Sequence, residues 1–149
     1  MRIQGQTAIR RPLAEVFDFV ADERNNYDPN VTDAELLTGE PIGIGTRFRS
    51  TSVRRGRPVD MIVEIVEYDR PTRLVTVTHL AGIDILSTLT LATEDAGTRL
   101  LWTSELEPRG LLRLLAPVLA IYGRRQTRAL WTNLKQTLET EPNEVPGPR

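Results

Sequence analysis

The chain contains no cysteine. That excludes disulfides, thiol catalysis and cysteine-built metal sites, and it fits a reducing compartment, so a cytoplasmic location is expected. Histidine is nearly absent too: His79 is the only one, which excludes histidine pairs as metal ligands or catalytic dyads. No His/Cys/Asp cluster has ligand spacing, and neither a metal nor another cofactor is expected. An excess of either charge is missing. Nineteen cationic and 20 acidic side chains leave a net charge of −1, so no nucleic acid partner is expected. No run approaches the ~18 apolar residues of a membrane span. The opening Met1-Arg2-Ile3-Gln4-Gly5 lacks the apolar core of an export signal. Lysine is reduced to Lys135 alone, which reflects genome base composition more than function.

What is present is a chain of 149 residues, long enough for one domain with a real core. Its longest periodic stretch, Arg109 to Glu139, predicts a helix able to cross the whole domain. Leu112, Leu115, Leu119, Tyr122, Gln126, Leu130, Leu134 and Thr137 form one stripe. Arg113, Arg124, Arg128 and Lys135 oppose it. Pro117 predicts a kink. Leu114 and Ile121 fall off the stripe, where they cover the sheet rim or meet a second copy in a homodimer. The end, 141–149, is Pro-rich and polar and is expected to be a disordered tail after a single domain over 1–140.

Upstream, the pattern is mostly strand. Arg2 to Arg10 predicts a first strand with Ile3, Thr7 and Ile9 on one face. Pro12 opens a helix whose Leu13, Val16, Phe17 and Val20 recur at helical spacing and which ends near Asp22. Turn residues occupy 23–30, with room for one short helix. Six further strands are expected: Val31–Leu37, Thr46–Arg54, Val59–Tyr68, Arg73–Leu80, Ile83–Ala92 and Thr98–Glu107. In the third strand of the chain, Phe48, Ser50 and Ser52 oppose Arg47 and Arg49. In the fourth, Val59, Met61, Val63 and Ile65 alternate with Asp60, Ile62, Glu64 and Val66. The three glycines of 39–45 precede no helix and have no lysine among them, so they predict a turn rather than a phosphate loop. Short connections imply an antiparallel meander, hence an α+β fold: a curled seven-stranded sheet around a long C-terminal helix. Such a sheet leaves a concave apolar space where a small ligand can bind.

Several segments are familiar. Ala14-Glu15-Val16-Phe17-Asp18-Phe19-Val20-Ala21-Asp22, Pro41-Ile42-Gly43-Ile44-Gly45-Thr46-Arg47-Phe48, Glu67-Tyr68-Asp69-Arg70-Pro71 and Gly97-Thr98-Arg99-Leu100-Leu101-Trp102 resemble the START/Bet v1-like (SRPBCC) superfamily. More closely they resemble its polyketide cyclase/dehydrase and lipid-transport group, over about Ile3 to Glu139. The resemblance implies the helix-grip fold, in the order β-α-α-β6-α, and a pocket for hydrophobic or aromatic small molecules. Where many relatives carry Trp after the first helix, this chain has Tyr27.

The candidate ligand wall comes from strand parity and the helical stripe. Phe48, Ser50, Met61 and Val63 come from the third and fourth strands. His79, Ser87, Leu89 and Trp102 come from the next three. Leu115, Leu119 and Tyr122 come from the helix. Small hydroxyls at inward positions must find a partner or water, which suits a wet cavity better than a dry core. His79 looks inward only if it shares the pocket face with Val75 and Val77; Leu74 and Leu80 lie on the other face. His79 and Tyr122 are the candidate acid and base of a polyketide cyclase or dehydrase. Asp60, Glu64, Asp84 and Glu105 read as a solvated sheet face, and so do the arginines of 54–57 and 124–128. Three functions therefore remain open: a carrier or sensor of a hydrophobic small molecule, a polyketide aromatase/cyclase or dehydrase, and a module that docks on a protein or ribosome.

Overall fold

The computed structural model describes residues 2–25, 31–80, 82–108, 128 and 131–139. Seven strands form one sheet: β1 (Arg2–Ile9), β2 (Val31–Leu36), β3 (Arg47–Arg54), β4 (Arg57–Asp69), β5 (Arg73–Leu80), β6 (Ile83–Glu94) and β7 (Gly97–Pro108). Their order across the sheet is β1-β7-β6-β5-β4-β3-β2, and every neighbour is antiparallel. From β2 to β7 this is a meander, in which short turns join β3 through β7 and a longer loop over 37–46 joins β2 to β3. β1 joins from the far end of the sequence and becomes an edge.

Helix α1 (Leu13–Ala21) begins after Pro12, whose fixed φ suits a helix entry and whose missing N–H costs nothing there. It buries Val16, Phe17, Val20 and Ala21. The expected second short helix is a single 3-10 turn, Glu23–Asn25. Residues 131–139 are helical and complete the grip. The upstream part of the expected helix, with Pro117, Leu114, Leu115, Leu119, Ile121 and Tyr122, lies outside the described residues. So do Tyr27 and the tail.

One core cluster unites α1, the sheet and the C-terminal helix. It includes Ile9, Phe17, Phe48, Ile65, Leu74, Leu89, Leu100 and Leu134. Among the described residues of the C-terminal helix, Trp131, Leu134 and Leu138 are buried. This corrects the expected phase of the stripe. Spacing by three and then four residues keeps those side chains on one face, and Thr137 is only half-buried.

β4 also departs from simple alternation. Its register with β5 shifts between Ile65 and Glu67. A bulge there reverses the parity of the rest of the strand. Val66 is exposed, while Tyr68 turns inward and packs edge-on against Phe17, with ring centroids 5.2 Å apart. The expected faces for Val59 to Ile65 are otherwise observed, with Val63 and Ile65 buried.

Candidate functional site

The concave sheet face has two unlike ends. Rows containing Leu74, Leu89, Leu91 and Leu100 are closed by α1 and the C-terminal helix. The next row is a ladder of hydroxyls. Thr76 pairs with Ser87, Ser87 with Ser104, and Ser104 with Ile3 of β1. Ser87 Oγ and Ser104 Oγ are 3.4 Å apart. Thr76, Ser87 and Ser104 are half-buried, as are Thr78, Ile85 and Met61 in neighbouring rows. In β3, Ser50 and Ser52 are wholly buried, and neither Oγ has a hydrogen-bond partner among the described residues. Unmet hydroxyls in such places each cost about 1–3 kcal/mol, so the sequence at this end is not optimised for a dry core.

Among the described residues, a cleft of about 610 Å³ opens between β1 and the C-terminal helix. It touches both faces of the edge strand. Ile3, Gly5 and Thr7 reach it from the concave side, and Arg2, Gln4 and Gln6 from the other. Across it stand Arg128, Trp131, Thr132, Lys135 and Gln136.

Two indoles form its apolar wall. Trp102 stacks on Trp131, with ring centroids 4.9 Å apart and planes 25° from parallel. Gly5 makes this possible. A Cβ at that position would lie 2.5 Å from Trp102 Cζ2, so the indole can cross β1 only above a residue with no side chain. The Trp102 Nε1–H is buried without a hydrogen-bond partner among the described residues.

The helix is tied to β1 by polar bonds at its far end. Lys135 Nζ donates to the Ala8 carbonyl at 2.6 Å and to Glu139 at 2.9 Å. The Arg10 backbone N–H donates to Glu139 Oε2 at 2.9 Å, and Arg11 Nε donates to the Leu138 carbonyl. Burial pushes the Glu139 carboxyl up, but Lys135 and the Arg10 amide hold it, so the net displacement is below the usual glutamate range.

The expected wall residues therefore part company. Trp102 lines the cleft. Met61 and Ser87 face the concave side and are half-buried. Phe48, Ser50, Val63 and Leu89 are buried, and Phe48, Val63 and Leu89 belong to the packed core. Phe48 and Ser50 show no accessible surface at all, so neither touches open space.

His79 stands on the outer face of the sheet. It is in register with Ile62 of β4 and Asp84 of β6, on the face opposite Val63 and Thr78. Its Nδ1 lies 3.1 Å from Asp84 Oδ1, and the ring is half-exposed. Leu74, on the other face, is the buried side chain that shares the concave surface. Leu115, Leu119 and Tyr122 lie outside the described residues. No group of three His, Cys, Asp or Glu side chains that could hold a metal occurs among the described residues.

Of the residues lining the cleft, sequence reasoning named only Trp102 as a site residue; it missed the β1 residues from Arg2 to Thr7 and all five from the C-terminal helix, Arg128 among them. Trp131 was the findable one. It is the largest apolar residue of its segment, and it lies three before Leu134, which lies four before Leu138.

An antiparallel sheet curled around α1 and a C-terminal helix, with open space at the sheet–helix junction, defines a helix-grip protein of the START/Bet v1 class. The chain belongs to the family described as polyketide cyclase/dehydrase and lipid transport, whose model matches residues 1–139. Solved structures share the fold at low identity. A protein from Thermus thermophilus is 20% identical, with a TM-score of 0.79 over 95% of this chain and 99% of that one. A START superfamily protein from Mycobacterium smegmatis is 11% identical, with a TM-score of 0.78 over 93% and 97%. Ara h 8.0201 is 15% identical, with a TM-score of 0.70 over 93% and 97%. No curated protein matches the sequence. No helix among the described residues is long and apolar enough to cross a membrane.

Proposed function

We propose that the protein binds a hydrophobic or aromatic small molecule between the sheet and the C-terminal helix, as a carrier or sensor. The observation that carries this reading is the stacked Trp102–Trp131 pair walling a cleft of about 610 Å³. Ligand sites of drug-sized molecules occupy roughly 300–1,000 Å³ and are lined by apolar and aromatic side chains with a few polar groups. Indole faces offer a flat, polarisable surface for rings and acyl chains. The hydroxyl ladder adjoins this wall through Ile3 and Ser104, giving polar groups for orientation.

A cyclase or dehydrase needs an acid and a base at one carbonyl. His79 is on the outer face with Asp84, and Tyr122 is outside the described residues, so no described pair of groups favours that reading. Native mass spectrometry of gently purified protein tests the carrier reading. It predicts a bound small molecule of constant mass, or uptake of a fluorescent fatty acid or flavonoid probe. An empty protein that takes up neither probe contradicts it.

A further inference from the structure

The cleft is one-sided in charge. Arg2, Arg128 and Lys135 line it, and no carboxylate does among the described lining residues. Lys135 is committed to Glu139 and the Ala8 carbonyl. Arg2 and Arg128 are exposed and neither forms an ion pair among the described residues, although Arg2 stands opposite Glu105 in the β1–β7 register. Arg24, Arg70 and Arg99, by contrast, each hold a carboxylate within 3 Å.

The imbalance extends along the chain. From residue 108 to 138 the sequence carries six cationic side chains and no acidic one. A net charge of −1 for the whole protein therefore conceals a stretch of sequence whose own charges are all positive. Guanidinium groups beside amides suit carboxylate or phosphate oxygens, which they bind through paired N–H donors.

We infer that the ligand is an organic anion: its ring or acyl chain lies on the Trp102–Trp131 wall, and its carboxylate or phosphate is held by Arg2 and Arg128. This rests on the sheet–helix binding reading above and adds the charge of the guest. The anionic group can belong to a free organic acid or to a lipid headgroup.

Calorimetric titration of the full chain with naphthaleneacetate and with its neutral isostere naphthaleneacetamide tests the inference. The acid is expected to bind about tenfold tighter at low salt, a difference of about 1.4 kcal/mol. Added salt narrows the ratio, and the Arg2→Gln/Arg128→Gln double variant erases it. Circular dichroism checks that the double variant is folded. Equal binding of the two compounds overturns the inference while leaving the hydrophobic reading intact. A ratio that survives in the double variant also overturns it. Failure of both compounds to bind removes inference and reading together. Sedimentation with phosphatidylglycerol vesicles but not phosphatidylcholine vesicles, lost in the double variant, assigns a lipid headgroup. Selective binding of the soluble acid without vesicle sedimentation assigns a free acid.

Discussion

Single residues decide how the cleft is built. Gly5 is there because an indole passes over it. Gly5→Ala puts a methyl 2.5 Å from Trp102 Cζ2, and overpacking of this kind costs about 1–3 kcal/mol. Urea denaturation should register that loss, and the near-UV dichroism of the indoles should change with it. Ser50 works the other way. Its hydroxyl is buried without a partner among the described residues, so Ser50→Ala removes an unmet polar group rather than a bond. Thermal unfolding of this variant should show stability unchanged or raised by up to about 1 kcal/mol. The inward hydroxyls were visible in the sequence because β3 alternates strictly, with Arg47 and Arg49 marking its other face. What alternation does not reveal is accessibility: Ser87 is half-buried and Ser50 is sealed, although the same pattern predicts both.

His79 belongs to the same scale. Its strand, Arg73–Leu80, has apolar side chains on both faces, Val75 and Val77 on that of His79 and Leu74 and Leu80 on the other, so composition leaves its parity open. The short connection to β6 contains the answer, because pairing Leu80 with Ile83 forces His79 opposite Asp84. His79→Ala should leave binding of any small-molecule probe unchanged, as measured by the same titration.

Among the elements, the C-terminal helix depends on β1. Glu139 joins them through Lys135 and the Arg10 amide. Its folded pKa is lowered, so its contribution is fully present above the ordinary glutamate pKa and is lost as pH falls through the lowered folded value. Thermal melts of wild type and Glu139→Gln across pH should show the wild type more stable at neutral pH. That advantage should disappear in acid. A difference that persists at the acid end contradicts the role given to the carboxylate.

The element pattern was largely legible. The meander, the Pro12 helix start and the alternating faces of β3, β6 and β7 come from period and turn chemistry. Two features were not. The β4 register shift falls between Ile65 and Glu67, where the apolar Val66 gives no sign of a parity change. In the terminal helix Leu134 is buried as expected, but its buried companions among the described residues are Trp131 and Leu138 rather than Thr137. Tertiary packing selects that face: Trp131, Leu134 and Leu138 belong to the same core cluster as Leu74 and Leu100.

At the scale of the whole molecule, the edge position of β1 is what shapes the site. β1 pairs only with β7 among the described strands, so its other side is free to border a cleft. Arg70 of the β4–β5 turn holds Asp18 of α1 at 2.7 Å, and Thr98 holds the Arg11 carbonyl at 2.7 Å. These contacts fix α1 across the sheet end that is packed. Gly97 makes the same junction tight. A Cβ there would lie 2.4 Å from the Ile9 carbonyl oxygen, so Gly97→Ala must move backbone and should lower the melting temperature more than Gly5→Ala does.

The protein has two tryptophans, and both stand in the cleft wall. Each supplies one indole N–H resonance, so a nitrogen–proton correlation spectrum reads the site directly. Titration with naphthaleneacetate should shift the Trp102 and Trp131 indole signals together, saturably, and with the affinity found by calorimetry. A ligand that saturates the protein while both indole signals stay in place would show that the guest, if any, is held elsewhere.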